Sequence, residues 1–188
     1  AEYRAYSIAS SPYDHKRIEL HIGLFEKGVV STYIHEYLKQ GDGLAVRGPF
    51  GDFFYRDTGR DILLIATGTG LAPLMSILRK IRMDGSRRTI TLFFGTQYQK
   101  DLYCVDELRE MEKSLHAFTY VPTLSREAGD SGWTGERGRV TDLISRRIPE
   151  GADIDVYICG NAEMVDSCED LLGRKSIPQD QIYYDKFS

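Results

Sequence analysis

Between residues 17 and 24 the apolar side chains Ile18, Leu20, Ile22 and Leu24 alternate with Arg17, Glu19, His21 and Gly23. That period of two predicts a half-buried strand. The next segment, EKGVVSTYIHEYLKQGDG, places Val30, Ile34, Tyr37 and Leu38 on one helical face and stops at Gly41. LAVRGPFGDFF reads as another strand running into a glycine- and proline-rich turn, and YRDTGRD marks a polar boundary near residues 55–61.

Beyond that boundary the pattern changes. DILLIA is a continuous apolar run, as expected of a strand covered on both faces. A helix is predicted from Pro73 to Met83, then a strand in TITLFF, a helix in CVDELREMEKSL and a strand in AFTYVPTL. A glycine-rich loop leads to a helix in VTDLISRR. DVYICG is a fourth strand, AEMVDSCEDLLGR a helix, and QIYY a fifth strand. Strands alternating with helices predict an open, parallel, doubly wound sheet of five strands. The first unit, with two or three strands and one helix, is too small to close a barrel. Its strands are therefore expected either to pack on the second unit or to continue upstream of residue 1.

Composition narrows the class. The chain has 188 residues, 41% hydrophobic, and a formal net charge of -4. It suits one domain plus a small or partial one. The acidic balance argues against general nucleic-acid binding, a role that calls for a basic face. No apolar run reaches the roughly 20 residues of a membrane helix, and no signal peptide is visible. Cys104, Cys159 and Cys168 are odd in number and widely spaced. They predict no disulfide, no metal site and no iron–sulfur centre, and favour a reducing cytoplasm.

Five short motifs and a terminal aromatic carry candidate chemistry. In ATGTGLAP, directly after the first strand of the second unit, Thr67, Gly68, Thr69 and Gly70 precede Pro73. The glycines permit a tight turn and close backbone approach, and the free N–H groups of the helix start attract a phosphate. The same residues also suit a plain strand-to-helix turn. Gly28, Val29, Val30 and Ser31 open a helix, where Ser31 or Thr32 can cap and the exposed amides can hold a pyrophosphate. Cys159, Gly160 and Met164 in CGNAEM lie at the end of the fourth strand, the ligand-bearing edge of such sheets, although a buried thiol is also an ordinary small core group. Ser125 and Arg126 end the third strand, where an arginine can meet a ribose phosphate. At the start, Arg4, Tyr6 and Ser7 offer a phosphate ligand, a flat ring cover and a hydrogen-bonding hydroxyl. Near the end, Phe187 serves either as a core aromatic or as a lid over a flat cofactor.

The motifs occur in the order Arg-x-Tyr-Ser, Gly-x-x-Ser, Gly-Thr-Gly-x-Ala-Pro, Cys-Gly-x-x-x-Met, terminal aromatic. This order resembles the ferredoxin–NADP reductase superfamily along the whole chain, nearest to bacterial reductase components of oxygenases. The resemblance implies a partial antiparallel β-barrel flavin domain over residues 1–56 and an α/β NAD(P)-binding Rossmann-like domain over 57–188. It implies FAD, with FMN as the variant, and NADPH or NADH. Arg4, Tyr6 and Ser7 match the flavin motif, with Ser7 near the reactive ring nitrogen. Gly28, Val29, Val30 and Ser31 match the flavin phosphate segment, and Thr67 to Gly70 with Pro73 match the dinucleotide loop. Cys159, Gly160 and Met164 match the nicotinamide side, Ser125 and Arg126 the 2′-phosphate pair, and Phe187 the flavin shield. Ser7, Cys159 and Phe187 are then the residues nearest the chemistry. Members of the superfamily carry several barrel strands before the Arg-x-Tyr-Ser strand, so the segment preceding residue 1 is expected to supply them, and residues 1–188 alone are expected to retain flavin weakly.

The resemblance implies a flavin-dependent NAD(P)H oxidoreductase passing electrons to a protein acceptor, a ferredoxin, an iron–sulfur protein or an oxygenase component. Two rivals stand beside it. One is a non-catalytic nucleotide-binding module for regulation or docking. The other is the reductase portion of a larger fused haem or iron–sulfur protein.

Overall fold

The structure is a computed structural model that describes residues 2–187. Its regular core begins at Asp61. Strands β1 (Asp61–Thr67), β2 (Ile90–Thr96), β3 (Phe118–Leu124), β4 (Glu136–Arg137), β5 (Ile154–Asn161) and β6 (Ile182–Phe187) form one sheet in the order β4-β3-β2-β1-β5-β6. Every neighbouring pair is parallel. The expected five strands are all present. The sixth, β4, has two residues, too few for any periodicity to mark it.

Parallel strands need crossovers, and five helices flank the chain of strands and precede it. Helix α1 (Val29–Glu36) lies before β1. Helices α2 (Leu71–Asp84), α3 (Val105–Ser114), α4 (Val140–Arg147) and α5 (Ala162–Arg174) connect strands. Alternate residues of β1 supply the two sides of the core. Ile62, Leu64 and Ala66 pack with Leu74, Leu78, Leu108 and Met111 of α2 and α3. Leu63 and Ile65 pack with Leu143, Ile144, Val165 and Leu172 of α4 and α5. Burial on both faces explains why these strands read as continuous apolar runs.

Helix α2 begins at Leu71, two residues before the predicted Pro73. Pro73 still lies in the first turn, where a missing N–H breaks no helical hydrogen bond. Helix α1 ends at Glu36, so the predicted turn through Leu38 and Gly41 lies outside it.

The segment before β1 departs from expectation. The strand predicted over 17–24 is reduced to one antiparallel bridge, Ile8 with Leu20, and the strand predicted in LAVRGPFGDFF does not form. Ile18 and Leu24 are 58% and 60% exposed, and Leu44, Val46 and Phe50 are more than half exposed. Alternation specifies which face a strand would bury. It forms no strand without a partner to take its backbone hydrogen bonds.

This segment is tied to the sheet by polar contacts. Arg79 of α2 donates to the Ala9 carbonyl (2.8 Å), and Tyr13 donates to Asp84 (2.6 Å). Further on, fully buried Asp155 of β5 accepts from the Thr58 hydroxyl and lies 3.5 Å from the Arg60 guanidinium, which also pairs with Asp153. Removing the carboxylate leaves a cavity at a fully buried position of β5 and takes the acceptor from the Thr58 hydroxyl and from one arm of Arg60. Asp155→Ala is expected to destabilise the fold by about 3 kcal/mol, read as the urea midpoint with m unchanged.

Candidate functional site

Open parallel sheets bind ligands at the carboxyl ends of their strands, and the predicted residues gather there. Thr67 ends β1. Gly68, Thr69 and Gly70 form a single 3-10 turn leading straight into α2. No side chain caps α2; the turn itself takes the Leu71 N–H at the Gly68 carbonyl, and the positive end of the α2 dipole lies at this loop. Gly70 is buried against the end of β5: a Cβ there would overlap the Cys159 carbonyl oxygen. A Cβ on Gly160 would overlap the Thr67 hydroxyl and come within about 2.5 Å of the Met164 methyl. Two backbone crossings are thus kept open by glycine, and between them the Thr67 Oγ1 is buried without a hydrogen-bond partner in the described residues. An orphaned hydroxyl beside an uncapped helix start fits a polar ligand that reaches this loop.

The ends of β5 and β6 bring the opening motif into the same edge. Cys159 pairs in register with Asp185, and Ala66 of β1 with Cys159 on the other side. Ser7 donates to Asp185 Oδ2 at 3.3 Å. One row therefore runs from β1 through the Cys159 thiol and the Asp185 carboxylate to the Ser7 hydroxyl. Asp185 was not among the residues marked by sequence. Its only local sign is a lone acid in an aromatic strand, and its partner lies 178 residues away.

Electrostatics set the protonation of this row. Burial, reinforced by Asp185, holds the Cys159 thiol far above its ordinary range, so it stays protonated. Burial also raises the Asp185 carboxyl, against the hydrogen bond from Ser7, and Asp52 adds a further upward push. Met164 lies beside this row: Asn161 caps α5 by accepting from the Met164 N–H (2.8 Å), and the Cys168 thiol meets the Met164 sulfur at 3.6 Å.

The other predicted residues fall into two groups. Ser125 and Arg126 are where β3 ends. Their N–H groups donate to the Thr96 and Gln97 carbonyls (3.0 and 2.9 Å), and Glu127 accepts from the Gln99 N–H (2.8 Å). The loops after β2 and β3 are thereby stitched together, with Arg126 exposed at the rim. Gly28, Val29, Val30 and Ser31 lie at the start of α1, beside an open groove of about 430 Å³ lined by Lys27, Gly28, Val29, Thr32, Tyr33 and Tyr37. The expected Ser31 cap is not made. Its Oγ turns inward to accept from the Phe25 N–H (3.2 Å) and donate to backbone carbonyls, which leaves the amides of α1 uncapped. Arg4 is exposed and holds the Tyr3 carbonyl and Glu2, while Tyr6 is half-buried. Phe187 is half-buried at the end of β6, in register with Asn161.

Residues 64–170 match the oxidoreductase NAD-binding domain, and residues 1–55 match the oxidoreductase FAD-binding domain. The chain belongs to the ferredoxin–NADP reductase superfamily. The reductase component of propane 2-monooxygenase from Rhodococcus jostii (strain RHA1) is 34% identical over 192 residues, an alignment covering 100% of this chain and 52% of the relative. The chain spans about half the length of the curated relatives it matches. Among solved structures, the Amycolatopsis cytochrome P450 reductase GcoB superposes with a TM-score of 0.83 at 29% identity, over 97% of this chain and 55% of that one. A ferredoxin NADP+ reductase from Neisseria gonorrhoeae, solved with bound FAD and NADP, gives 0.75 at 26% identity, over 97% and 79%. Superfamily members of these kinds share both the N-terminal and the parallel-sheet part with this chain. Among the described residues no helix is long and apolar enough to cross a membrane, and no three metal-ligating side chains cluster.

Proposed function

We propose that this chain is the catalytic portion of a flavin-dependent NAD(P)H oxidoreductase that passes electrons from a reduced nicotinamide through FAD to a protein acceptor, with an oxygenase component or a ferredoxin as the acceptor class. The observation that carries this reading is the row Cys159–Asp185–Ser7 set beside the Thr67–Gly70 loop, because it joins the flavin-motif serine to the dinucleotide edge in one structure. In this reading residues 1–56 serve the flavin and 57–188 the nucleotide. The cytoplasm is the compartment that suits such a partner and three free thiols.

FAD, when bound, supplies hydride acceptance and single-electron release. Arg4 and the uncapped amides of Val29, Val30 and Ser31 are the groups that would hold its phosphates, with Tyr6 and Phe187 against its ring. The chain's own work is binding, orientation and exclusion. The Gly68–Gly70 turn and α2 take the pyrophosphate of the pyridine nucleotide. Thr67 Oγ1, Gly160 and Met164 bound the nicotinamide side, and Cys159, neutral and buried, gives it an uncharged floor. Ser7 and Asp185 fix hydrogen-bonding geometry where the two rings meet. Bringing two flat rings to reactive distance is a proximity effect, so sub-ångström placement dominates the rate. Arg126, with Ser125, is the side chain placed to meet a 2′-phosphate, and favours NADPH.

The chain is mixed with excess FAD and then NADH or NADPH under anaerobic conditions. Bleaching of the flavin band, and reduction of a dye acceptor, are the expected results. Calorimetric binding of nucleotide and flavin without any bleaching would instead establish the regulatory binding module.

A further inference from the structure

His21, Tyr103 and the Gly68 backbone join the N-terminal segment to the dinucleotide loop. The Tyr103 hydroxyl donates to the Gly68 carbonyl at 3.2 Å. That carbonyl already accepts the Leu71 N–H, so Tyr103 uses its second lone pair. The same hydroxyl lies 3.2 Å from His21 Nδ1. His21 Nε2 faces the Glu19 carboxylate, which only accepts, so a neutral ring carries its hydrogen on Nε2 and offers Nδ1 to the Tyr103 hydroxyl as an acceptor, while a doubly protonated ring donates from both nitrogens. The two rings meet edge to face, with centroids 5.1 Å apart.

The groups around this contact hold His21 in place. Its Nε2 lies 2.9 Å from Glu19 Oε1, and Glu19 is also 3.0 Å from the Arg79 guanidinium. Arg79 in turn makes two hydrogen bonds to Glu107, at 2.8 and 2.7 Å. Glu107 sits in the first turn of α3, just beyond Tyr103 and Cys104, so the contacts close into a ring across α2, α3 and the N-terminal segment. The His21 side chain is only 10% exposed. Two residues on, Gly23 faces Thr69 of the dinucleotide loop, where even a Cβ would only just touch Thr69 Cγ2.

We propose that His21 and Tyr103 are positioning residues that register the dinucleotide loop against the flavin-side segment, through the hydrogen-bonded contacts that link His21 Nδ1, the Tyr103 hydroxyl and the Gly68 carbonyl. The inference rests on the flavin–nicotinamide reading above. Neither side chain touches the reacting atoms. A nucleotide held by Gly68–Gly70 moves with that turn, so play between the turn and residues 19–23 becomes play between the two rings. The ion pairs of Arg79 hold the elements together without fixing this register, because none of them reaches the loop.

Two measurements test the proposal. In long-range 1H–15N spectra of the chain without flavin or nucleotide, the His21 Nδ1 resonance, assigned by its loss in His21→Leu, is expected to be displaced in Tyr103→Phe. An Nδ1 resonance unmoved by Tyr103→Phe would overturn the contact. In anaerobic stopped-flow with excess FAD, Tyr103→Phe is expected to lower the limiting rate of flavin reduction about 10- to 100-fold while the NADH or NADPH dissociation constant changes less than about twofold. His21→Leu should match it. His21→Asn, which keeps a hydrogen-bonding group near the Nδ1 position, should recover most of the rate. A raised dissociation constant with an unchanged limiting rate, or no change in either, would refute the positioning role. No flavin reduction by the unmutated chain, with the Nδ1 resonance displaced in Tyr103→Phe, would refute the functional reading and the role built on it, while leaving the contact itself demonstrated.

Discussion

Gly70→Ala is expected to weaken nucleotide binding about 100-fold. The added methyl group meets backbone, the carbonyl of Cys159, and a β-strand held between β1 and β6 has no room to retreat. The 3-10 turn must move instead, and with it the amides proposed to meet the pyrophosphate. Overpacking at such a contact costs about 3 kcal/mol of stability. The nucleotide affinity should fall more than stability alone predicts, by about 100-fold or about 2.7 kcal/mol, because the ligand groups are the displaced backbone. Calorimetric titration with NADPH and NADH at a temperature where the variant remains folded reads this out. Gly43→Ala, where no atom lies within 4 Å and the backbone is not left-handed, serves as the control and should leave the affinity unchanged. Binding within a few-fold of the unmutated chain in Gly70→Ala would show that the turn after β1 does not carry the pyrophosphate.

The second large effect concerns Ser7 and Asp185. Ser7→Ala and Asp185→Ala are each expected to slow flavin reduction about 100-fold, with the double variant no slower than the worse single one. Such non-additivity follows if the hydroxyl and the carboxylate act as one hydrogen-bonded unit. Full multiplication of the two effects would sink that assignment. The acid limb of the rate gives an independent check. Burial raises the Asp185 carboxyl, so on acidification it takes up a proton earlier than an exposed aspartate does. The rate should fall on that limb, and Asp185→Asn should lack it. Stability has the opposite sign. A carboxyl whose folded-state value is raised binds its proton more readily in the folded chain, so ionised Asp185 is a cost to folding at neutral pH and that cost is relieved as the pH falls. Asp185→Asn should therefore be at least as stable as the unmutated chain at neutral pH while being much slower. A loss of stability in parallel with the loss of rate would mark Asp185 as structural.

The alternation of strands and helices after residue 60 was legible because each strand of a covered parallel sheet is a local apolar run and each helix a local periodic one. Glycine turns and the proline after them were legible for the same reason: backbone demands are written in adjacent residues. The overprediction in residues 17–54 has the same origin. RIELHIGL has the right alternation, yet among the described residues only Ile8 and Leu20 bridge, since a strand is completed by its neighbour and not by its own pattern. Ser31 looked like a helix cap from its position, but its hydroxyl found the Phe25 amide instead.

Local patterns along the chain were enough for the α/β class of the second unit, the glycine turn at Thr67–Gly70, and the order of motifs that marks the superfamily. These depend on neighbours within a few residues. Which distant groups meet emerged only from the folded chain: Asp185 with Ser7 and in register with Cys159, and His21 with Tyr103 over Gly68. Those meetings depend on strand register and on loops crossing at a sheet edge. A polar side chain carries no local signal of the partner that will share its hydrogen bond.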